Sequence, residues 1–179
     1  MRAVHKNESL VNEQHSHMMN KKRKYKIFVV EDSDIFRELL SRFIEDIDGR
    51  EFLSKNENFE IFSFTNGEDC IKAINDHKPD IVLMDYYLNG NAPSNPDDLI
   101  DGLEALKQIK KYCPKTKIIA VTSQGDFWVS TQFYLWGASD YISKGPGIRE
   151  KVQKSVKNLL KLIDSEEELD KKHKGLNYF

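Results

Sequence analysis

The sequence predicts an α/β protein: a doubly wound, five-stranded parallel sheet carrying five helices. Three observations lead there. The apolar runs Ile27-Phe28-Val29-Val30, Ile81-Val82-Leu83-Met84 and Ile118-Ile119-Ala120-Val121 have the length and continuity of strands buried on both faces. Segments between such runs repeat apolar residues at helical spacing. Two of the runs finish directly in acid, Glu31-Asp32 and Asp85, as befits the carboxyl edge of a parallel sheet, where such folds bind ligands.

The elements follow in order. Residues 26–31 read as the first strand. Ser33 caps a helix in which Ile35, Phe36, Leu39, Leu40, Phe43, Ile44 and Ile47 recur on one face. Residues 48–57 are polar, contain Gly49 and form a loop. In the second strand, 58–64, Phe59, Ile61 and Ser63 alternate with Glu60, Phe62 and Phe64. Asn66-Gly67 turns the chain into a helix over 67–77, ended by Pro79. Residues 80–85 are the third strand. A third helix, 101–113, carries Leu103, Leu106 and Ile109 and stops at Pro114. The fourth strand is 117–122, the fourth helix 126–136, and a short fifth strand 139–143. The last helix, 147–164, turns Ile148, Val152, Val156, Leu159, Leu160 and Ile163 inward.

Composition bounds the function. The chain has 179 residues, 39% of them hydrophobic and 31% charged, enough for one domain with a full core plus tails. A net charge of −2 gives no global pull toward nucleic acid or acidic lipid. No apolar stretch approaches the roughly 20 residues of a membrane span, and the polar N-terminus lacks a signal-peptide core, so the expected location is cytoplasmic. Cys70 and Cys113, without CxxC spacing, read as reduced, helix-borne thiols. The expected domains are a disordered basic arm over 1–24, closing in Lys21-Lys22-Arg23-Lys24, a folded domain over 25–165, and a charged tail over 166–179 that extends and frays the last helix.

Three carboxylates at one sheet edge repel one another unless a cation holds them, and the hard, oxygen-seeking candidate is Mg2+. A carboxylate beside that ion can be a ligand, a base or a phosphoryl acceptor. Each residue alone has a simpler explanation. Glu31 and Asp32 could favour a helix dipole, Asp85 could end a strand in a turn, Thr122 could be a buried strand hydroxyl and Lys144 a surface lysine.

Together they resemble a known family. Val29-Val30-Glu31-Asp32-Ser33-Asp34, Asp85 after Ile81-Val82-Leu83-Met84, and Asp101-Gly102-Leu103-Glu104-Ala105-Leu106 stand in the order of the receiver domain of bacterial two-component response regulators. Ile118-Ile119-Ala120-Val121-Thr122-Ser123 and Gly137-Ala138-Ser139-Asp140-Tyr141-Ile142-Ser143-Lys144 complete the series, over roughly residues 26–163. The resemblance implies a flavodoxin-like three-layer sandwich with strand order 2-1-3-4-5. It implies that Asp85 accepts a phosphoryl group from a sensor histidine kinase or histidine phosphotransfer protein. Mg2+ would be held by Asp32 and Asp85, by Glu31 largely through water, and by the backbone carbonyl of Tyr87. Lys144 would pair with Asp85 at rest and with a phosphoryl oxygen afterward, and the Thr122 hydroxyl would meet another. Tyr141 matches the aromatic that rotates as Thr122 is drawn inward, so Thr122 and Tyr141 form the implied switch. Phosphoryl transfer of this kind depends on positioning and charge, which this set supplies.

The chain also departs from the family. The segment 86–101, rich in Asn, Pro and Asp, is longer than the usual loop and reads as a tolerated insertion near the site. Gly145 separates Lys144 from Pro146, where the family generally has proline directly after the lysine, often across a cis bond. Tyr87 and Gln124 occupy positions that tune loss of the phosphoryl group, and a bulky Tyr87 predicts slow autodephosphorylation. Phe127, Trp128, Phe133, Tyr134, Leu135 and Trp136 crowd the fourth helix, and Trp128 or Leu135 is expected outside.

The reading is a stand-alone receiver, since no DNA-binding or catalytic domain follows Ile163 in this sequence. It is a phosphoacceptor rather than an enzyme. Its output would be binding to a downstream protein, or self-association, through the face of the fourth helix, fifth strand and last helix. A magnesium-dependent phosphatase with an aspartyl nucleophile is an alternative, opposed by Tyr87 where a second aspartate is needed. A pseudo-receiver that folds without phosphorylation is another, opposed by the intact acidic, threonine and lysine set.

Overall fold

In the computed structural model, residues 24–47, 58–88, 101–123 and 127–176 are described. Strands run over β1 (Lys24–Val30), β2 (Asn58–Phe64), β3 (Ile81–Met84), β4 (Lys117–Thr122) and β5 (Asp140–Ser143). Between and after them lie α1 (Asp34–Glu45), α2 (Gly67–His77), α3 (Gly102–Tyr112), α4 (Phe127–Leu135) and α5 (Ile148–Leu176). The strands form one sheet in the order β2-β1-β3-β4-β5, and β1–β3, β3–β4 and β4–β5 each pair in parallel. The fold class and strand order are those expected. Two units are distinguished. Tyr25–Ile47 with Phe59–Phe179 is the one described below; Met1–Lys24 with Asp48–Asn58 is the other, and all of it but Lys24 and Asn58 lies outside the described residues.

Because side chains alternate along a strand, each strand feeds two cores. Phe28 and Val30 of β1, Val82 and Met84 of β3, and Ile118 and Ala120 of β4 pack with Cys70 and Ile74 of α2, Leu106 of α3 and Phe133 of α4. The intervening residues Ile27, Val29, Leu83 and Val121 are fully buried on the opposite face, where α1 packs against α5. The layers are therefore α1 and α5, the sheet, and α2 with α3 and α4. Cys70 lies in that core, and burial pushes its thiol up to about 12. Both cysteines are free, but Cys113 caps the end of α3 rather than lying within it.

Helix starts follow the sequence. Ser33, Asn66 and Asp101 are N-caps whose side chains accept from the amides of Phe36, Asp69 and Glu104. Two local expectations are corrected. Ile35 and Leu39 point outward, at 82% and 37% exposure, so the buried stripe of α1 is narrowed to Leu40, Phe43 and Ile44, with Ile47 just beyond. β1 begins at Lys24, inside the expected arm. α5 is one helix to Leu176, so the extension expected after 164 is part of it; Glu166 pairs with Lys117 at 2.7 Å and Asp170 with Lys115 at 2.6 Å along that stretch. Tyr25, buried at the start of β1, also donates its hydroxyl to Asp164. The remainder of the arm 1–24, the loop 48–57, Gln124 and most of 86–101 lie outside the described residues.

Candidate functional site

Register gathers the site. Val30 of β1 pairs with Met84 of β3, so the next residues, Glu31 and Asp85, leave adjacent strands at the same level. The Asp85 amide donates to the Val30 carbonyl at 3.0 Å and the Glu31 amide to the Phe64 carbonyl at 3.0 Å, fixing both backbones. Thr122 pairs with Ser143, and the Lys144 amide donates to the Thr122 carbonyl at 2.8 Å. All of these residues stand at the carboxyl ends of the strands.

The side chains close the arrangement. Lys144 Nζ donates to Asp85 Oδ2 at 2.6 Å and to Glu31 Oε2 at 2.7 Å, joining residues 113 apart in sequence in the second case. Glu31 is 1% exposed and Asp85 5%, and a buried carboxylate without a partner is costly, so the ammonium is needed there. The backbone assists: the Ser33 amide reaches Glu31 Oε1 at 3.3 Å and the Tyr87 amide reaches Asp85 Oδ1 at 3.4 Å. Arg37 donates to the Glu31 carbonyl at 2.8 Å and pairs with Asp34, tying the first turn of α1 to the rim.

Burial raises the Glu31 carboxyl above its ordinary value, and neither its bond to Lys144 nor their attraction fully offsets this. For Lys144 burial works against the charge, but hydrogen bonds to Asp85 and Glu31 outweigh it and the pKa is raised. The ammonium is therefore held firmly charged, while Glu31 is the member of the pair that burial strains.

Glu31, Asp32 and Asp85 each offer one carboxylate oxygen, all within 4.8 Å of one another. Three oxygen donors of this kind suit a hard divalent cation such as Mg2+. One ammonium against three carboxylates leaves an excess of negative charge for such an ion to neutralise. Asp32 is the more accessible of the three.

The remaining expected residues are placed as follows. Thr122 is fully buried at the end of β4. Tyr87 follows Asp85 by two residues with its ring half exposed and edge-on to that of Tyr86. Tyr141 is half-buried, its ring 6.4 Å from that of Phe133. Gly145 takes φ +156°, a conformation open to glycine, and no peptide among the described residues is cis, so Lys144 reaches the rim without proline directly after it.

Two contributors were not foreseen from sequence. Gly102 opens α3 directly over the end of β3: a Cβ there would lie 2.0 Å from the Asp85 carbonyl oxygen and 2.9 Å from the Tyr86 Cα. The motif had marked Gly102 without giving the reason. Phe36 had been assigned only to the apolar stripe of α1, yet Lys144 Nζ sits 4.4 Å from its ring centroid. No one-dimensional signal connects the two residues.

Comparison with known proteins agrees with this geometry. The model of the response regulator receiver domain matches residues 27–157. The response regulator GacA of Pseudomonas aeruginosa is 33% identical over 128 residues, covering 72% of this chain and 52% of that protein. The chain thus spans about half the length of that relative. The receiver domain of NtrX from Brucella abortus is 25% identical, with a TM-score of 0.60 over 75% of this chain and 98% of that one. The response regulator domain of Thermotoga maritima CheB, at 22% identity, shares the fold with a TM-score of 0.59 over 78% and 96% of the two chains. The chain belongs to the response regulator receiver domain family, whose members act with histidine kinases in two-component signalling.

Proposed function

We propose that Asp85 is the phosphoacceptor of this receiver, supplied by a sensor histidine kinase or a histidine phosphotransfer protein. An Asp85 carboxylate oxygen attacks phosphorus, the P–N bond to the donor histidine breaks, and the imidazole leaves with the bonding pair. The aspartyl phosphate that forms carries extra negative charge onto a rim that is already acidic. The observation that carries this reading is the contact of Lys144 with Asp85 and Glu31: an ammonium already seated on the proposed acceptor. Lys144 then transfers to a phosphoryl oxygen, and the Thr122 hydroxyl donates to another. Glu31, Asp32, Asp85 and the Tyr87 carbonyl would hold Mg2+, which when bound supplies positive charge against the transferred group.

Output follows from the same contacts. As Thr122 turns toward the phosphoryl group, Tyr141 fills the space it leaves, and the surface of α4, β5 and α5 changes for a downstream protein or a second copy. Tyr141 already packs against Phe133 of α4, which supports that route. The chain acts in the cytoplasm and processes no substrate besides its own acyl phosphate. No described helix is long and apolar enough to cross a membrane.

The test is incubation with Mg2+ and acetyl phosphate, read by intact mass. Gain of one phosphoryl group in the wild type, lost in Asp85→Ala and on chelation, is the expected result. A gain that persists in Asp85→Ala would move the acceptor elsewhere. Turnover of a generic phosphomonoester would instead indicate a phosphatase.

A further inference from the structure

The ammonium of Lys144 meets an aromatic ring as well as carboxylates. Glu31 and Asp85 take its hydrogen bonds, while the ring of Phe36 lies 4.4 Å from Nζ, well inside the distance at which a cation is attracted to an aromatic face. Phe36 is itself well placed. Its amide is the one capped by Ser33 Oγ, and the next residue, Arg37, is bonded to the Glu31 carbonyl, so the first turn of α1 is tied to the same rim. The other acid of that turn, Asp34, is occupied by Arg37.

The Lys144 amide is held by the Thr122 carbonyl, but the backbone that follows it is glycine-rich. Gly145 and Gly147 both take positive φ, and a Cβ at Gly145 would touch nothing within 4 Å. Space beside Gly145 is open, so beyond the Lys144 backbone it is side-chain contacts that aim the ammonium. Two of these contacts are lost when the carboxylates turn to a cation or to a phosphoryl group. The ring cannot be esterified or ligate a metal, so its contact survives the exchange.

We propose that Phe36 is a positioning residue: its ring face holds the Lys144 ammonium over Asp85 while the anionic partners of that ammonium change. The inference rests on reading Asp85 as the acceptor, but the contact itself can be measured without phosphorylation.

Two arms test it. In the metal-free, unphosphorylated protein, the ring should shift the ε-methylene protons of Lys144 upfield. Phe36→Leu, which keeps an apolar side chain, should abolish that shift, and Phe36→Tyr should keep it. In the second arm, Phe36→Leu should slow phosphorylation by acetyl phosphate about three- to tenfold, the range expected of a partly desolvated cation–π contact. Mg2+ affinity, read from the Asp32 amide resonance, should stay unchanged, and Phe36→Tyr should phosphorylate at the wild-type rate. Unshifted Lys144 protons in the wild type would overturn the proposal. So would a Phe36→Leu rate equal to wild type, or an equal loss in Phe36→Tyr, which would mark a merely structural role. If the wild type accepts no phosphoryl group, the reading of Asp85 fails, and the ring-current arm alone decides where Phe36 holds Lys144.

Discussion

The rim at the carboxyl ends of the strands and the helix α4 depart from ordinary folding preferences in opposite directions. At the rim, polar groups are buried: Glu31, Asp85 and Thr122 are each 5% exposed or less. On α4, large apolar groups are exposed: Phe127 at 83%, Leu135 at 73% and Trp128 at 66%, with Phe133 alone fully buried. The rim is stabilised from within, because Lys144 and the backbone amides of Ser33 and Tyr87 partner its carboxylates. On α4 it is apolar surface rather than polar groups that meets solvent, a patch of the kind that protein contacts commonly use. One region buries polar groups behind partners of its own. The other displays apolar groups at the surface.

The two regions should therefore respond differently to substitution. Lys144→Met leaves Glu31 and Asp85 facing each other without a cation, and should cost about 3–5 kcal/mol in chelator. Added Mg2+ should recover most of the loss, which thermal melts with and without the ion would check. A melt unaffected by either change would remove Lys144 from the rim's balance. Gly102→Ala forces a Cβ into the Asp85 backbone and should cost roughly 3 kcal/mol, about 10 °C in Tm at this chain length. Mg2+ should not rescue that variant, because the clash is steric.

On α4 the effect should be small. Trp128→Ser combined with Leu135→Ser should move stability by no more than about 0.5 kcal/mol and leave phosphorylation by acetyl phosphate unchanged. A large fall in Tm would show that these groups are packed rather than displayed. The core thiol Cys70 adds a response confined to alkaline pH. Its pKa rises from 9.0 unfolded to about 12 folded, so it contributes fully below pH 9 and that contribution is lost as pH climbs from 9 toward 12. Cys70→Ala should flatten this alkaline slope in pH-dependent melts. Alkylation of the native protein near pH 8 should modify Cys113 first.

Legibility differed between elements for physical reasons. α2 was read over 67–77 and observed at Gly67–His77, because an N-cap asparagine and a terminating proline are local signals. The end of α5 was less sharply legible, since the lysines that pair with its charged stretch sit at and just before the start of β4, far away in sequence. The stripe of α1 was overread at Ile35 and Leu39, because periodicity cannot tell a side chain facing the core from one at the stripe's margin. For α4 the reverse held: apolar groups all round the helix promised exposure, but only packing selected Phe133 as the buried one.

From the sequence alone came the alternation of strands and helices, the acids closing two apolar runs, and the order of motifs identifying the family, since these depend on local periodicity and residue type. Tertiary structure alone decided that Lys144 bridges Asp85 and Glu31, that Gly102 must lack a Cβ, and that Phe36 lies over the ammonium. Those facts are distances between residues remote in the chain, and strand register with helix packing creates them only once the sheet has formed.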